Sequence, residues 1–139
     1  MSERLAIIGG TGLTSLSDFK IIKKHSVETP YGFPSSEIIE GVFDGQEDES
    51  VADNTIESTA DSGAMYFLSR HGSPHRIPPH KINYRANIWA LKHLKIDNII
   101  AVNAVGGIHS QLDPGSLCVP DQLIDYTCRR ENTFFHVIY

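Results

Sequence analysis

The chain is poor in the residues that staple small secreted proteins and in those that bind nucleic acid. It holds two cysteines, Cys118 and Cys128, among 139 residues. Two cysteines cannot build a disulfide framework, so a reduced, cytoplasmic protein is the expectation. No apolar run approaches the ~20 residues of a membrane span. The opening MSERLAIIGG offers only Leu5-Ala6-Ile7-Ile8 before its glycines, which is too short for the apolar core of a signal peptide. Basic residues are scarce as well: 12 Lys and Arg stand against 17 Asp and Glu, for a formal charge of -5. That balance argues against a nucleic-acid partner, and the missing spans against a membrane one. The length suffices for one domain with a core and is too small for two ordinary ones.

The acidity is local. Six acids lie between Glu47 and Asp61, in a stretch without Lys or Arg. Outside it, twelve basic residues face eleven acidic ones, so the rest of the chain is almost neutral. Residues 46–64 also lack periodicity and large apolar side chains, the profile of a flexible loop. The strand candidates on either side are Ile38–Phe43 and Met65–Leu68. They would pair as a hairpin without the segment, so it is expected to be an acidic flexible insertion.

What is present reads as alternating strands and helix. Leu5–Ile8 is a short continuous apolar run closed by Gly9-Gly10-Thr11-Gly12, which predicts a strand buried on both faces. Asn83–Leu94 places Tyr84, Ile88, Leu91 and Leu94 on one helical face, with Trp89 beside them as core packing. Ile99–Val105 predicts a second buried strand ending at Gly106-Gly107, and Leu117–Val119 a short third. Strand, helix and strand in that order imply a parallel crossover and an α/β sheet.

Three glycine-rich strand ends carry groups suited to an anion. Gly9-Gly10-Thr11-Gly12 offers backbone N–H groups and a hydroxyl. It matches neither the P-loop nor the dinucleotide pattern, and alone does not distinguish an anion cradle from an ordinary glycine turn. Ser69-Arg70-His71-Gly72 supplies a guanidinium fork and an imidazole. Asn103-Ala104-Val105-Gly106-Gly107 supplies small residues. If the three strands are parallel neighbours, their turns share one edge and form a phosphate site. His71, His75 and His80 invite a metal reading. Their spacing would converge on a helix, which Pro74, Pro78 and Pro79 forbid, so no metal is expected.

Taken together, IIGGTGL (7–13), ETPYGFPS (28–35), FLSRHGSPHRIPPHKINYRANIWALK (67–92), AVNAVGGIH (101–109) and PGSLCVPDQLIDYT (114–127) resemble the purine nucleoside phosphorylase superfamily. They are most similar to its methylthioadenosine phosphorylase branch and, within that, to the bacterial S-methyl-5′-thioinosine phosphorylases. The resemblance implies a central mixed, partly barrel-like sheet flanked by helices, usually assembled as a homotrimer. It implies phosphorolysis of a 5′-methylthio purine nucleoside to free purine and 5-methylthioribose 1-phosphate. Phosphate is then a co-substrate and no cofactor is needed. By motif match, Thr11, Arg70, His71, Asn103 and Ala104 would hold phosphate, and His75 would lie near the 5′ side of the sugar. Asn103 stands where many methylthioadenosine phosphorylases carry Thr.

The family's chains run to nearly twice this length, so residues 1–139 are expected to be the N-terminal half of one domain. The purine-gripping residues of the family lie in the other half, and little catalysis is expected from this half alone. Two other readings compete. Arg-His-Gly after a strand also opens the histidine phosphatases, where the His is the nucleophile. The chain could also bind phosphate or nucleoside without turnover.

Overall fold

The computed structural model describes residues 3–10, 18–43, 63–131 and 133–135. Thr11 lies outside them, as does the acidic insertion except for Gly63 and Ala64. Five strands form: β1 (Leu5–Gly9), β2 (Phe19–His25), β3 (Ile38–Phe43), β4 (Met65–Ser69) and β5 (Asn98–Ala101). Among the described residues, one α-helix, α1 (Tyr84–His93), precedes β5, and one 3₁₀ turn spans Pro79–Lys81. The fold is α/β. Its sheet is mixed, in the order β2-β3-β4-β1-β5.

The register explains the layout. β3 pairs antiparallel with β4, as the interrupted hairpin predicted. β1 runs parallel to β4 on one side and to β5 on the other. The chain therefore leaves β4, crosses through α1, and returns beyond β1. Asp97 fastens the return. Its carboxylate accepts the Arg4 N–H at 3.0 Å, while the Arg4 carbonyl accepts the Asp97 and Asn98 N–H groups at 3.0 and 3.1 Å.

Successive strand residues face opposite sides of the sheet. Ala6, Tyr66, Leu68 and Ile38 face Ala90 and Leu91 of α1, with Ile96 completing the buried core. On the other side, cross-strand pairing sets Ile39, Phe67, Ile7 and Ile100 in a row over four strands. β1 is accordingly not buried on both faces as expected. Ala6 is fully covered, but Ile7 is only half-buried.

Helix α1 begins and ends where local chemistry dictates. The Asn83 side chain accepts the Ala86 N–H at 3.1 Å, an N-cap, and donates to the Tyr31 carbonyl at 2.7 Å. At the other end Ile96 N–H reaches the Leu91 carbonyl and Lys95 N–H the Lys92 carbonyl, at 3.1 and 3.0 Å. That is a Schellman closure, with Lys95 at φ 58° in the left-handed position usually given to glycine. Ile96 and Leu91 are both buried beneath it.

Its buried face differs from the expected one. Ala86, Asn87, Ala90 and Leu91 are buried, while Tyr84 and Ile88 are exposed. Two alanines let the helix approach the sheet closely, which larger residues would prevent, so Tyr84 and Ile88 rotate outward. Trp89 is half-buried and stacks on His93, centroids 5.1 Å apart, rather than entering the core. Asn87 joins the buried face because it is satisfied there. Its Oδ1 accepts the Ser35 N–H at 2.7 Å and its Nδ2 donates to Ser35 Oγ at 3.0 Å.

Two predicted strands are corrected. Ile99–Val105 is a strand only from Asn98 to Ala101, and it is exposed throughout. Leu117–Val119 is not a strand, and those residues are exposed. A strand needs a partner for its ladder, and the described structure offers none beyond β5. β2 was not foreseen, because Lys20-Ile21-Ile22-Lys23-Lys24 breaks strict alternation. The break is real: the register with β3 shifts between Ile21 and Lys23. Opposite this shift, Gly41 has no room for a side chain. A Cβ there would lie 2.4 Å from the Lys20 carbonyl oxygen. Further along the same strands, His25 Nε2 meets Glu40 at 2.6 Å, and the Tyr66 hydroxyl donates to the same carboxylate at 3.1 Å.

Two substitutions test these contacts by urea unfolding. Asn87→Ala strands the Ser35 N–H in a buried site and is expected to cost about 1–3 kcal/mol. Lys95→Gly relieves the left-handed strain and is expected to stabilise by about 1 kcal/mol. An unchanged midpoint for either variant would contradict its assigned contact.

Candidate anion site

Parallel pairing brings the three glycine-rich strand ends together. Gly9 lies opposite Ser69, and Ile8 opposite Ala101. The ladders extend one step past the strands. Arg70 N–H donates to the Gly9 carbonyl at 3.1 Å, and Val102 N–H to the Ile8 carbonyl at 2.9 Å. Gly10, Arg70-His71 and Asn103-Ala104 therefore leave the same carboxyl edge of the sheet. α/β sheets place ligands at such edges.

Arg70 spans this edge. Its Nη1 donates to the Val102 carbonyl at 2.6 Å, tying the end of β4 to the end of β5 across β1. Its Nε donates to His71 Nε2 at 3.2 Å. Its Nη2 lies 3.5 Å from where a Cβ on Gly10 would stand, so the guanidinium packs beside the end of β1. A guanidinium has five N–H donors. Two are used, which leaves three without a protein acceptor among the described residues. No carboxylate pairs with Arg70 among those residues, so its charge faces the edge uncancelled.

His71 is oriented by two bonds that fix its tautomer. Nε2 accepts from Arg70, so it carries no proton. Nδ1 lies 2.9 Å from the Ile77 carbonyl, an acceptor, so Nδ1 carries the proton. His71 thus acts first as a brace that sets the plane of the guanidinium. The following turn depends on Gly72 at φ +83°, where a Cβ would also press to 3.3 Å on the Ser35 and Pro74 carbonyl oxygens. The turn stacks His75 on His71, with centroids 4.6 Å apart and planes 19° from parallel. The expectation that these rings could converge only on a helix is corrected, since consecutive turns bring them together.

The sequence-predicted residues divide by position. Arg70, His71 and His75 form one contiguous group. Asn103 and Ala104 directly follow the Val102 carbonyl that holds Arg70, and both are exposed. Thr11 lies outside the described residues. His80 stands apart, on the 3₁₀ turn. The Val102 carbonyl was not anticipated, because a backbone acceptor leaves no mark in residue type.

A separate cavity of about 360 Å³ lies at the start of α1, lined by Tyr31, Lys81, Asn83, Tyr84, Arg85 and Arg130, among others. Two of its three arginines are engaged. Arg85 lies over the Tyr31 ring and pairs with Glu131 at 3.3 Å, and Arg130 lies over Tyr84. Among the described residues, no helix is long and apolar enough to cross a membrane.

Comparison with known proteins shows the family. Residues 4–137 match the family model of the phosphorylase superfamily. The chain is 50% identical over 130 residues to a probable S-methyl-5′-thioinosine phosphorylase of Pseudomonas syringae, covering 94% of this chain and 46% of that one. It is 47% identical over 131 residues to an S-methyl-5′-thioadenosine phosphorylase of Hyperthermus butylicus, covering 94% of this chain and 42% of that one. Among solved structures, methylthioadenosine phosphorylase of Schistosoma mansoni without ligand superimposes with a TM-score of 0.64 at 37% identity. That match covers 82% of this chain and 34% of the other. The chain thus spans about half the length, or less, of the curated relatives it matches.

The brace on Arg70 can be checked directly. Long-range ¹H–¹⁵N correlation spectra at neutral pH are expected to show His71 protonated on Nδ1 and bare on Nε2. A proton on Nε2 in the phosphate-free chain would break the assigned Arg70–His71 bond.

Proposed function

This chain belongs to the phosphorylase superfamily, and from that membership we propose that it carries the phosphate-binding half of a 5′-methylthio purine nucleoside phosphorylase site. The reaction breaks the bond between C1′ of the sugar and the purine nitrogen. A phosphate oxygen forms the new bond to C1′, giving 5-methylthioribose 1-phosphate, and the purine leaves with a proton. S-methyl-5′-thioinosine and 5′-methylthioadenosine are the substrates considered. Relatives named for both support the class without choosing between them.

The observation that carries the proposal is the Arg70 guanidinium laid across the ends of β4, β1 and β5, with three donors that have no protein acceptor among the described residues. As the glycosidic bond breaks, positive charge builds on the sugar ring. A phosphate anion fixed beneath C1′ stabilises that charge and is already in place to attack. Arg70 positions two phosphate oxygens, and the N–H groups at the glycine turn and at Asn103-Ala104 take others. Thr11 adds a hydroxyl. His71 holds the guanidinium plane and lines the same anion, and His75, stacked on it, faces the 5′ side of the sugar. No cofactor or metal enters the reaction.

Residues 1–139 then form one half of a single phosphorylase domain. The assembled enzyme is a cytoplasmic homotrimer. The histidine phosphatase alternative gains nothing from the geometry. A nucleophilic His71 would need a free ring nitrogen, and Nδ1 and Nε2 are both hydrogen-bonded.

Phosphate titration followed by ³¹P NMR tests the site. The chain is expected to bind inorganic phosphate, and Arg70→Ala to weaken that binding at least tenfold. Arg70→Lys keeps the charge but loses the two-point geometry, so it is expected to recover only part of the loss. Equal affinity in all three proteins would refute the assignment. In the complete enzyme, Arg70→Ala is expected to lower the rate by roughly 10²-fold or more. The 139-residue chain alone is expected to release little purine from either nucleoside.

A further inference from the structure

The turn that carries Arg70 is held by the loop that precedes β3, and that loop is built on α1. Thr29 and Gly32 close the loop by exchanging backbone bonds at 3.2 and 3.0 Å. Asn83, the N-cap of α1, donates to the Tyr31 carbonyl at 2.7 Å. One turn further along the helix, Asn87 holds Ser35 at its N–H and at its hydroxyl, at 2.7 and 3.0 Å. Ser35 and Asn87 are 6% and 2% exposed, so breaking these bonds leaves polar groups unpaired away from water. The loop is therefore fixed to the helix, and the residue after Ser35 has a set position.

That residue is Ser36, and it meets the last residue of β4. The β3–β4 register stops with Ile38 opposite Leu68. Continued by one residue, it would set Glu37 opposite Ser69. Successive backbone N–H groups of a strand point to opposite neighbours. Arg70 N–H points to β1, where it meets the Gly9 carbonyl, so Ser69 N–H points to the β3 side. A plain ladder would join it to the Glu37 carbonyl. The Ser36 hydroxyl stands between the two instead. It accepts the Ser69 N–H at 3.1 Å and donates to the Glu37 carbonyl at 2.9 Å. A hydroxyl whose proton is committed presents its lone pairs in a set direction. Ser69 is 5% exposed, so its N–H depends on this acceptor. The Ser69 carbonyl is occupied as well, by the Gly72 N–H at 3.1 Å.

We propose that Ser36 is a positioning residue for phosphate: its hydroxyl fixes the peptide that leads into Arg70, and with it the direction of the guanidinium. This rests on the functional reading above. Arg70 is aimed at its far end by the Val102 carbonyl and His71 Nε2. Those contacts hold only while β4 delivers the Arg70 backbone to one place. Ser69 is bound at its N–H and at its carbonyl, so the backbone before Arg70 rotates only by breaking one of the two. The Ser35 carbonyl oxygen limits the other side of the turn, 3.3 Å from where a Cβ on Gly72 would lie. Ser36 acts through Arg70 rather than on the anion itself. It passes the position of α1, by way of Asn87 and Ser35, to the group that binds phosphate. A displacement of about 1 Å at a positioned group is enough to cost an enzyme about 10²-fold in rate.

The test uses the 139-residue chain and inorganic phosphate. Ser36→Ala removes one oxygen from a half-buried loop residue. It is expected to weaken phosphate binding roughly three- to tenfold in a ³¹P NMR titration. It is also expected to shift the His71 Nε2 resonance from its wild-type position, as the bond from Arg70 loosens. Ser36→Thr keeps the hydroxyl and is expected to restore both. Tyr66→Phe is the control for stability. It removes a hydroxyl bond to Glu40 near the other end of β4. It is expected to lower the urea midpoint while affinity and resonance stay as in the wild type. If either readout keeps its wild-type value in Ser36→Ala, the proposal is overturned. An equal change in Tyr66→Phe also overturns it, because Ser36 would then act through stability alone. Should Ser36→Ala show no cooperative urea transition, Ser36→Cys takes its place with the same expectations, since a thiol is a weak acceptor of similar shape. A wild-type chain that binds no phosphate refutes the functional reading by itself. The His71 resonance then decides the role of Ser36: a shift in Ser36→Ala upholds it, and no shift overturns it.

Discussion

The structure depends on β1 being paired in parallel on both sides. A five-residue strand could have been an edge or a hairpin arm. Here it lies between β4 and β5, and that position has two consequences. It forces the chain after β4 to cross over β1, and α1 is the element that makes the crossing. It also aligns three strand ends at one carboxyl edge, because parallel strands finish in the same direction. The candidate anion site is the chemical result of that alignment. Arg70 reaches from β4 to the Val102 carbonyl because only one strand, ending in glycine, lies between them.

Close approach is achieved with small side chains. Ala86 and Ala90 set α1 against the sheet, and Gly41 admits the Lys20 carbonyl. The buried polar groups that result are satisfied. Asn87 with Ser35, and Glu40 with His25 and Tyr66, are the buried or half-buried examples. Among the described residues, no buried side-chain polar atom lacks a partner.

The contrast with the residues after Ala101 is physical. Before that point strands pair, the helix is capped at both ends, and apolar side chains meet. After it the chain has no further strand among the described residues, and its leucines, valines and isoleucines face outward. The sequence character does not change there. Ile99 to Val105 is as apolar as Leu5 to Ile8, and it was read as a buried strand for that reason. An apolar run becomes a buried strand only when something packs on it.

Much of the site could be read from residue order. Arg-His-Gly after a strand, with two other glycine-rich strand ends, indicated an anion site, and parallel pairing placed them together. The capped helix was legible within a residue at each end, because Asn83 and the apolar spacing are local signals. The segment from Glu47 to Asp61 also accounts for the acid excess of the chain, so net charge carries no information about the anion site. Other features had no local signal. Which helix face would turn inward depended on how closely alanine lets two backbones approach. β2 was hidden by its irregular alternation. The tautomer of His71, its stacking with His75 and the Val102 acceptor are contacts between segments, set by geometry that no residue type encodes. The sequence by itself determined the elements, their caps and the chemical groups at the strand ends. Only the tertiary structure decided which faces are buried and how Arg70 is aimed, because both depend on what each element packs against.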